Sequence, residues 1–442
     1  MALTGTRTYV GFGFGPIQAG LFAYEAFVSG NFGRLVFAEV LPEVVAAVRR
    51  SDGHFSVNIA HPDRVEHARL GSIEIEDPSQ ESDRQRLIQA IAEATEIGTA
   101  IPSVTNYVSE GPASLHRILA EGLKKKATQS GPRAVVYAAE NHNHAAEKLE
   151  VAVLGGLPAS MKTAIRTRVQ FLNTVIGKMS GVKSDVRLIR EHGLTTMVPG
   201  DDRAFLVEVF NKILISRIEL SDDEGDLPFR RGIKVFEEKE DLRPFEEAKL
   251  YGHNATHALA AYVGALLGAR RIAELDSIPG ALEFLRAAFI QESGETLIRK
   301  HAGVDPLFTP DGYEYYADDL LDRMISPFLL DTVERVGRDP SRKLGWNDRL
   351  VGTIREALKQ GVEPRRYAFG AAAALAMLDP SSLDQDFPAR ETLEPIWSES
   401  STTDGEKSAV LDRIEAGLER IRTWLHTGSN DPKRLLDGAQ SV

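Results

Sequence analysis

The run Thr8-Tyr9-Val10-Gly11-Phe12-Gly13-Phe14-Gly15-Pro16-Ile17-Gln18-Ala19-Gly20 decides the fold. A short β-prone segment enters a glycine-rich turn, Leu21 to Val28 suits a helix, and Arg34 to Val40 reads as a second strand ending near Glu39. Strand, glycine turn, helix, strand is the order that opens a dinucleotide-binding domain. Gly11 and Gly13 take two of the three fingerprint positions, one for a tight turn and one for close approach of a pyrophosphate to the backbone. Gly15 falls one residue before the third position, which holds Pro16. The helix that follows would offer its N–H groups and partial positive charge to the phosphates. Glu39 stands where a carboxylate accepts from both hydroxyls of an adenosine ribose and repels a 2′-phosphate, which favours NAD over NADP. The plainer alternative is a glycine-rich turn beside a solvated glutamate.

Outward from this passage, alternation in Phe55 to Ile59 and in Ser72 to Ile75 predicts a small meander, and Val104 to Val108 and Ala134 to Ala138 are further strand candidates. From about Ala204 the texture reads as helical: Phe205 to Ile215 is apolar-rich, Ala255 to Leu267 suits a helix buried on most sides, and Ile278 to Ile298 carries an apolar stripe. Leu411, Ile414, Leu418, Ile421 and Leu425 recur at helical spacing near the end. Charged, turn-prone links at Ser221 to Asp226 and Phe236 to Arg243 place a domain change near residue 240. The expected fold class is α/β: a Rossmann-type dinucleotide domain over 1–240, then a mainly α-helical domain over 241–442.

A chain of 442 residues is long enough for two or three packed cores, and 43% hydrophobic residues can fill them. Cysteine is absent, which excludes disulfides, thiolate zinc sites and cysteine nucleophiles. A formal net charge of −12 disfavours broad contact with nucleic acid or anionic membranes. No apolar run reaches the ~20 residues needed to span a bilayer, and no signal-peptide pattern opens the chain, so a cytoplasmic protein is expected.

The densest chemistry lies in Glu246-Glu247-Ala248-Lys249-Leu250-Tyr251-Gly252-His253-Asn254-Ala255-Thr256-His257. On an α-helix, Asn254 would lie roughly 140° from Lys249, with His257 between them at roughly 80°, so all three could line one cleft. Glu246 would sit on the same edge and could relay protons. Alcohol oxidation needs a base for the hydroxyl proton and donors for the developing alkoxide. Lysine serves as that base once burial or positive neighbours lower its pKa from ~10.4 towards ~7–8. Asn254 can donate to the same oxygen, His257 can hold a substrate hydroxyl, and no metal is needed. A surface lysine, a helix-start asparagine and a hydrogen-bonded histidine is the plainer alternative.

With these windows in view, the chain resembles the polyol-specific long-chain dehydrogenases, the mannitol dehydrogenase family. Lys249, Asn254 and His257 match the family's catalytic spacing, and the likeness runs through Asn254 to Gly264, Gln291-Glu292-Ser293-Gly294, Ser326 to Leu329, and Asp331 to Leu344, then Asp348-Arg349-Leu350. The block after Asp331 looks nearer the mannitol-1-phosphate branch. The resemblance implies that Arg335 and Lys343 contact substrate and that Glu246 gates proton escape from the lysine. It also implies that Asn141, after Glu140, supplies a second amide to the oxyanion site, with Asn143 close enough to compete. Two departures accompany it: Pro16, and Gly177-Lys178 where the family has Asp-Arg.

Arg335, Arg338, Arg342, Lys343 and Arg349 form a basic cluster in an acidic chain. It reads either as a pocket for a polyol phosphate or as a solvated face balanced by Asp331, Glu334, Asp339 and Asp348. The expectation is an NAD-dependent polyol dehydrogenase of the mannitol-1-phosphate type with a small-molecule partner. The alternatives are an enzyme for an unphosphorylated polyol or a uronate and, in another class, a catalytically silent nucleotide-binding regulator.

Overall fold

The computed structural model describes residues 5–221, 227–398, 403–427 and 431–438. The chain divides into two compact units, 1–243 and 244–442.

In the first unit the expected strand order forms a twisted sheet. It contains β1 (Arg7–Phe12), β2 (Phe32–Ala38), β5 (Glu74–Glu76), β6 (Glu96–Thr99), β7 (Ala134–Ala138), β8 (Val169–Val175), β11 (Ile213–Ser216) and β12 (Phe236–Lys239), in the order β12-β11-β8-β7-β6-β1-β2-β5. From β5 to β8 all pairings are parallel, and β11 runs antiparallel to β8. Read from β5, the parallel strands follow the doubly wound 3-2-1-4-5-6 order, with the switch point between β1 and β6. A second sheet, β4 (Val65–Leu70), β3 (Phe55–Ala60), β10 (Ala204–Glu208), β9 (Ser180–Lys183), packs beside it.

Alternation along β1 feeds two cores. Tyr9 joins Phe22, Phe37, Phe55 and Phe205 on one face. Val10 joins Leu87, Ile91, Leu119 and Val136 on the other. Phe14, in the glycine turn, reaches the second sheet edge-on, with ring centroids 5.0 Å from Phe55 and 6.0 Å from Phe205. Burying one such ring stabilises by roughly 1.5–3 kcal/mol, so the turn is anchored as firmly as a strand.

Four expectations are corrected here. Phe205 to Ile215 is not helical: it holds β10 and β11, and β10 sits between β3 and β9 with every residue buried, which erases the alternation that marks a half-exposed strand. Val104 to Val108 is not a strand. Val104–Tyr107 is a 3₁₀ turn started by Ser103, whose side chain accepts from Thr105 N. The meander is only a hairpin: β3 and β4 pair antiparallel, whereas β5 leaves to lie parallel to β2. The link at Phe236 contains an edge strand, β12. Of the other link, residues 222–226 lie outside the described residues.

The second unit is helical. The alanine-rich helix Arg365–Leu378 packs between Ala255–Leu266 and Asp404–His426, with Gly370 facing Leu259 and Gly417 facing Ala372. Two π-helical segments, Ala248–Asn254 and Ala288–Gly294, adjoin this stack. They meet closely because Gly252 has no side chain: a Cβ there would lie 2.7 Å from the Tyr313 hydroxyl and 2.8 Å from the Phe289 ring. Among the described residues, no helix is long and apolar enough to cross a membrane.

Candidate active site

The first unit gathers its expected residues at the carboxyl ends of β1, β2, β6 and β7, where ligands of open α/β sheets bind. Gly11 lies in β1, and its bare Cα makes room for the buried Gln18 side chain. Gly13 is the turn glycine: its φ is +79°, and a Cβ would lie 2.8 Å from the Ala100 carbonyl oxygen. Gly15 is different again, since nothing stands within 4 Å of where its Cβ would be. That leaves open space over the turn, which a side chain would fill. Glu39 closes one side. Phe14 N donates to its Oε2 at 2.8 Å, and Val40 N and Leu41 N donate to its Oε1 at 2.7 and 2.9 Å. A carboxylate accepts about four hydrogen bonds, so Glu39 keeps acceptor capacity beyond these three.

Glu140 is buried just beyond β7. It accepts from Thr99 Oγ1 at 2.9 Å, from Ile101 N at 3.0 Å and from the Tyr107 hydroxyl, tying the loop after β7 to the stretch that leaves β6. Burial pushes its carboxyl pKa up. Asn141 follows it at the surface, as does Asn143. Lys178, one of the departures, is a buried tie whose Nζ donates to the carbonyls of Glu208 and Phe210.

The second unit holds the lysine, asparagine and histidine set, with one correction to its geometry. Lys249 and Asn254 lie on a π-helix, not an α-helix. Its repeat, set by i→i+5 hydrogen bonds, brings residues five apart onto successive turns of one face, closer than the 140° separation expected. His257 follows on the α-helix Ala255–Leu266, and Thr256 beside it is pinned by a 2.7 Å hydrogen bond with the Tyr367 hydroxyl.

Charge is organised around this set. Burial lowers the Lys249 pKa to about 8, the Arg349 guanidinium pushes the same way, and the buried Glu246 carboxylate opposes both. Burial lowers His257 to about 4, against the pull of Asp331, whose Oδ2 lies 3.8 Å from His257 Nε2. His257 is therefore neutral at pH 7, and its Nε2 makes no hydrogen bond among the described residues. Asp331 also pairs with Arg335. Lys343 is 2% exposed, and burial, Arg349 and Arg342 hold its pKa near 8. His253 is kept neutral by burial and by surrounding cations, Arg323 first.

Of the remaining expected residues, Arg338 and Arg342 face solvent, and Arg342 pairs with Asp339 at 3.1 Å. Arg349 and Asp331, expected only as members of the charged 331–349 block, act on this set: Arg349 on Lys249 and His257, and Asp331 on His257.

The chain matches two family models along nearly its whole length: the mannitol dehydrogenase Rossmann domain over residues 7–226 and the mannitol dehydrogenase C-terminal domain over 241–424. It belongs to the mannitol dehydrogenase family. Membership makes it an oxidoreductase of the polyol dehydrogenase kind. A mannitol-1-phosphate 5-dehydrogenase of Exiguobacterium sibiricum is 30% identical over 378 residues, covering 84% of this chain and 86% of the relative. Another from an Arthrobacter species is 27% identical, covering 90% and 97%. In fold the chain is similar to D-sorbitol dehydrogenase (TM-score 0.74, 15% identity, 98% and 95% covered). It is also similar to the Pseudomonas fluorescens mannitol 2-dehydrogenase complex with NAD and D-mannitol (TM-score 0.68, 20% identity, 99% and 94% covered).

Proposed function

We propose that this mannitol dehydrogenase family member oxidises a mannitol-type sugar alcohol to a ketose with NAD, with mannitol 1-phosphate and fructose 6-phosphate as the preferred pair. The observation that carries the chemistry is a desolvated lysine, its pKa near 8, one π-turn from an asparagine amide. Gly13, Gly15 and Glu39 fit the dinucleotide, and Glu39 sets a negative charge against a 2′-phosphate. NAD, when bound, supplies the hydride acceptor.

Lys249 as the neutral amine takes the hydroxyl proton while the carbinol carbon gives up its hydride. Asn254 donates its amide to the oxygen as it gains alkoxide character, and Asn141 is the candidate for a second such donor. Neutral His257 holds a neighbouring hydroxyl. Glu246 receives the proton from Lys249 and passes it to solvent, restoring the base. In reverse, protonated Lys249 delivers the proton that completes ketose reduction.

The phosphorylated substrate draws support from the named relatives and from the cations beside the lysine. An unphosphorylated polyol or a uronate is the second reading. It is favoured by the ties of Arg335 to Asp331 and Arg342 to Asp339, which cancel part of the cluster's charge. Oxidation of NADH and NADPH with fructose 6-phosphate and with fructose separates them. A KM at least tenfold lower for fructose 6-phosphate with NADH is expected. Comparable values for the two sugars would overturn the phosphate preference, and no turnover with any ketose would favour the silent regulator.

A further inference from the structure

The five cations between Arg335 and Arg349 are used unequally. Arg335 is tied to Asp331, Arg342 is exposed and paired with Asp339, Arg338 is exposed, and Lys343 donates its Nζ to the Arg338 carbonyl. Arg349 stands apart. Its side chain is 14% exposed, and its Nε donates to Asp348 Oδ1 at 2.8 Å. Its two terminal NH₂ groups have no hydrogen-bond partner among the described residues.

The Arg349 backbone is fixed beside the segment that carries Lys249. Thr353 Oγ1 is shared between the Arg349 carbonyl at 2.5 Å and the Tyr251 carbonyl at 3.2 Å, and Tyr251 lies two residues beyond Lys249 on the π-helix. Gly352 permits the approach, since a Cβ there would lie 2.6 Å from the Tyr251 ring. One hydroxyl thus clamps Arg349 to the helix that carries the base. The Arg349 charge acts on Lys249, Lys343, His253 and His257, so all four lie within its electrostatic reach.

A guanidinium largely covered but with its terminal edge open, four N–H bonds unmatched among the described residues and two lysines within its electrostatic reach, calls for an anion with parallel acceptors. We propose that Arg349 is the specificity-determining residue of the substrate site, its open edge receiving the terminal phosphate of the polyol phosphate. This rests on the phosphorylated-substrate reading above. The dianion of a phosphate answers Arg349 and Lys343 together, and its tetrahedral oxygens match the fork. A free carboxylate, as on a uronate, would answer one of them.

The test compares wild type, Arg349→Gln and Arg349→Lys by kcat/KM for fructose 6-phosphate and for fructose with NADH, with inorganic phosphate as inhibitor. The ratio of the two kcat/KM values removes effects common to both substrates, including any change at Lys249. Charge-assisted hydrogen bonds of this kind lead to an expected fall in that ratio of roughly 10- to 100-fold in Arg349→Gln. A smaller fall is expected in Arg349→Lys, and phosphate inhibition should weaken in parallel. An unchanged ratio overturns the assignment. If wild type itself does not distinguish the two sugars, the phosphate reading falls before any variant is made; if wild type does and the ratio survives substitution, only the role of Arg349 falls. Should Arg349→Gln not fold, Arg349→Lys carries the same comparison, because it keeps the charge and loses the fork.

Discussion

The glycine turn of the first unit and the lysine segment of the second both depart from regular helix, at the π-helical segments Gln18–Ala23 and Ala248–Asn254, yet they are built in opposite ways. At the turn the backbone does the work. The Glu39 carboxylate is met by three backbone N–H groups, and Gly13 owes its place to a left-handed φ. Around Lys249 the work falls to side chains, several of like sign, held close enough that burial and repulsion pull two lysine pKa values down to about 8. A site made of satisfied backbone donors binds a constant ligand; a site made of opposed charges sets a protonation state. Substitutions at the first should therefore act on stability and cofactor affinity, and at the second on rate.

The largest effect that would break this contrast is at Lys249, the proposed base. Lys249→Ala should lower kcat by roughly 10² to 10⁴, the usual value of a positioned acid or base. NADH binding, followed by fluorescence titration, should be preserved. A variant with near-normal turnover at neutral pH would remove Lys249 from the mechanism.

Next is the pH dependence. Only the neutral amine accepts a proton, so kcat/KM for polyol oxidation should rise about tenfold per pH unit up to about 8 and then level. Ketose reduction, which needs the protonated amine, should fall above the same point. Arg349→Gln removes a positive neighbour and should move both limbs to higher pH. Limbs centred near 10 instead would mean that the desolvated environment of Lys249 is absent in solution. At the other region, Glu39→Gln should narrow the preference for NADH over NADPH by roughly tenfold, because the 2′-phosphate no longer meets a negative charge while one acceptor oxygen remains for the backbone. An unaltered preference would show that Glu39 serves only the turn.

The two regions were also unequally legible. Strand, glycine turn and strand follow one another in the chain, so the order of β1 and β2 could be read from local residues. Lys249, Asn254 and His257 were likewise visible as a cluster because they are near neighbours. Their geometry was not: the expected angles assumed 3.6 residues per turn, and the π-helix depends on packing with Phe289 and Tyr313, some 40 to 60 positions away. Asp331 and Arg349 stood out in the sequence only as members of the charged 331–349 block; which of its charges bear on Lys249 and His257 appears only from tertiary structure. The strand at 204–208 was missed because a fully buried strand has no period of two; at 213–216 burial does alternate, but Leu214 on the less buried side is apolar as well, so the residues show no polar alternation. Val104 to Val108 was misread because its β-branched residues were outweighed by the Ser103 cap, a local hydrogen bond that composition does not show.

The smallest effects lie within the turn and separate its two duties. Gly13→Ala puts a Cβ on a residue with φ of +79° and within 2.8 Å of the Ala100 carbonyl oxygen. Left-handed strain of about 1–2 kcal/mol follows, and at roughly 2–4 °C per kcal/mol the thermal midpoint of the apo-protein should drop by several degrees. Gly15→Ala meets nothing within 4 Å, so the same midpoint should hold within about 1 °C. If the open space over Gly15 is where the pyrophosphate lies, Gly15→Ala should nevertheless weaken NADH binding, since a methyl group then occupies the ligand's side of the turn. Loss of affinity without loss of stability in Gly15→Ala, set beside loss of stability in Gly13→Ala, would show that two glycines one residue apart serve the fold and the cofactor separately. Equal effects on both quantities would mean that the turn is a single rigid element with no face reserved for a ligand.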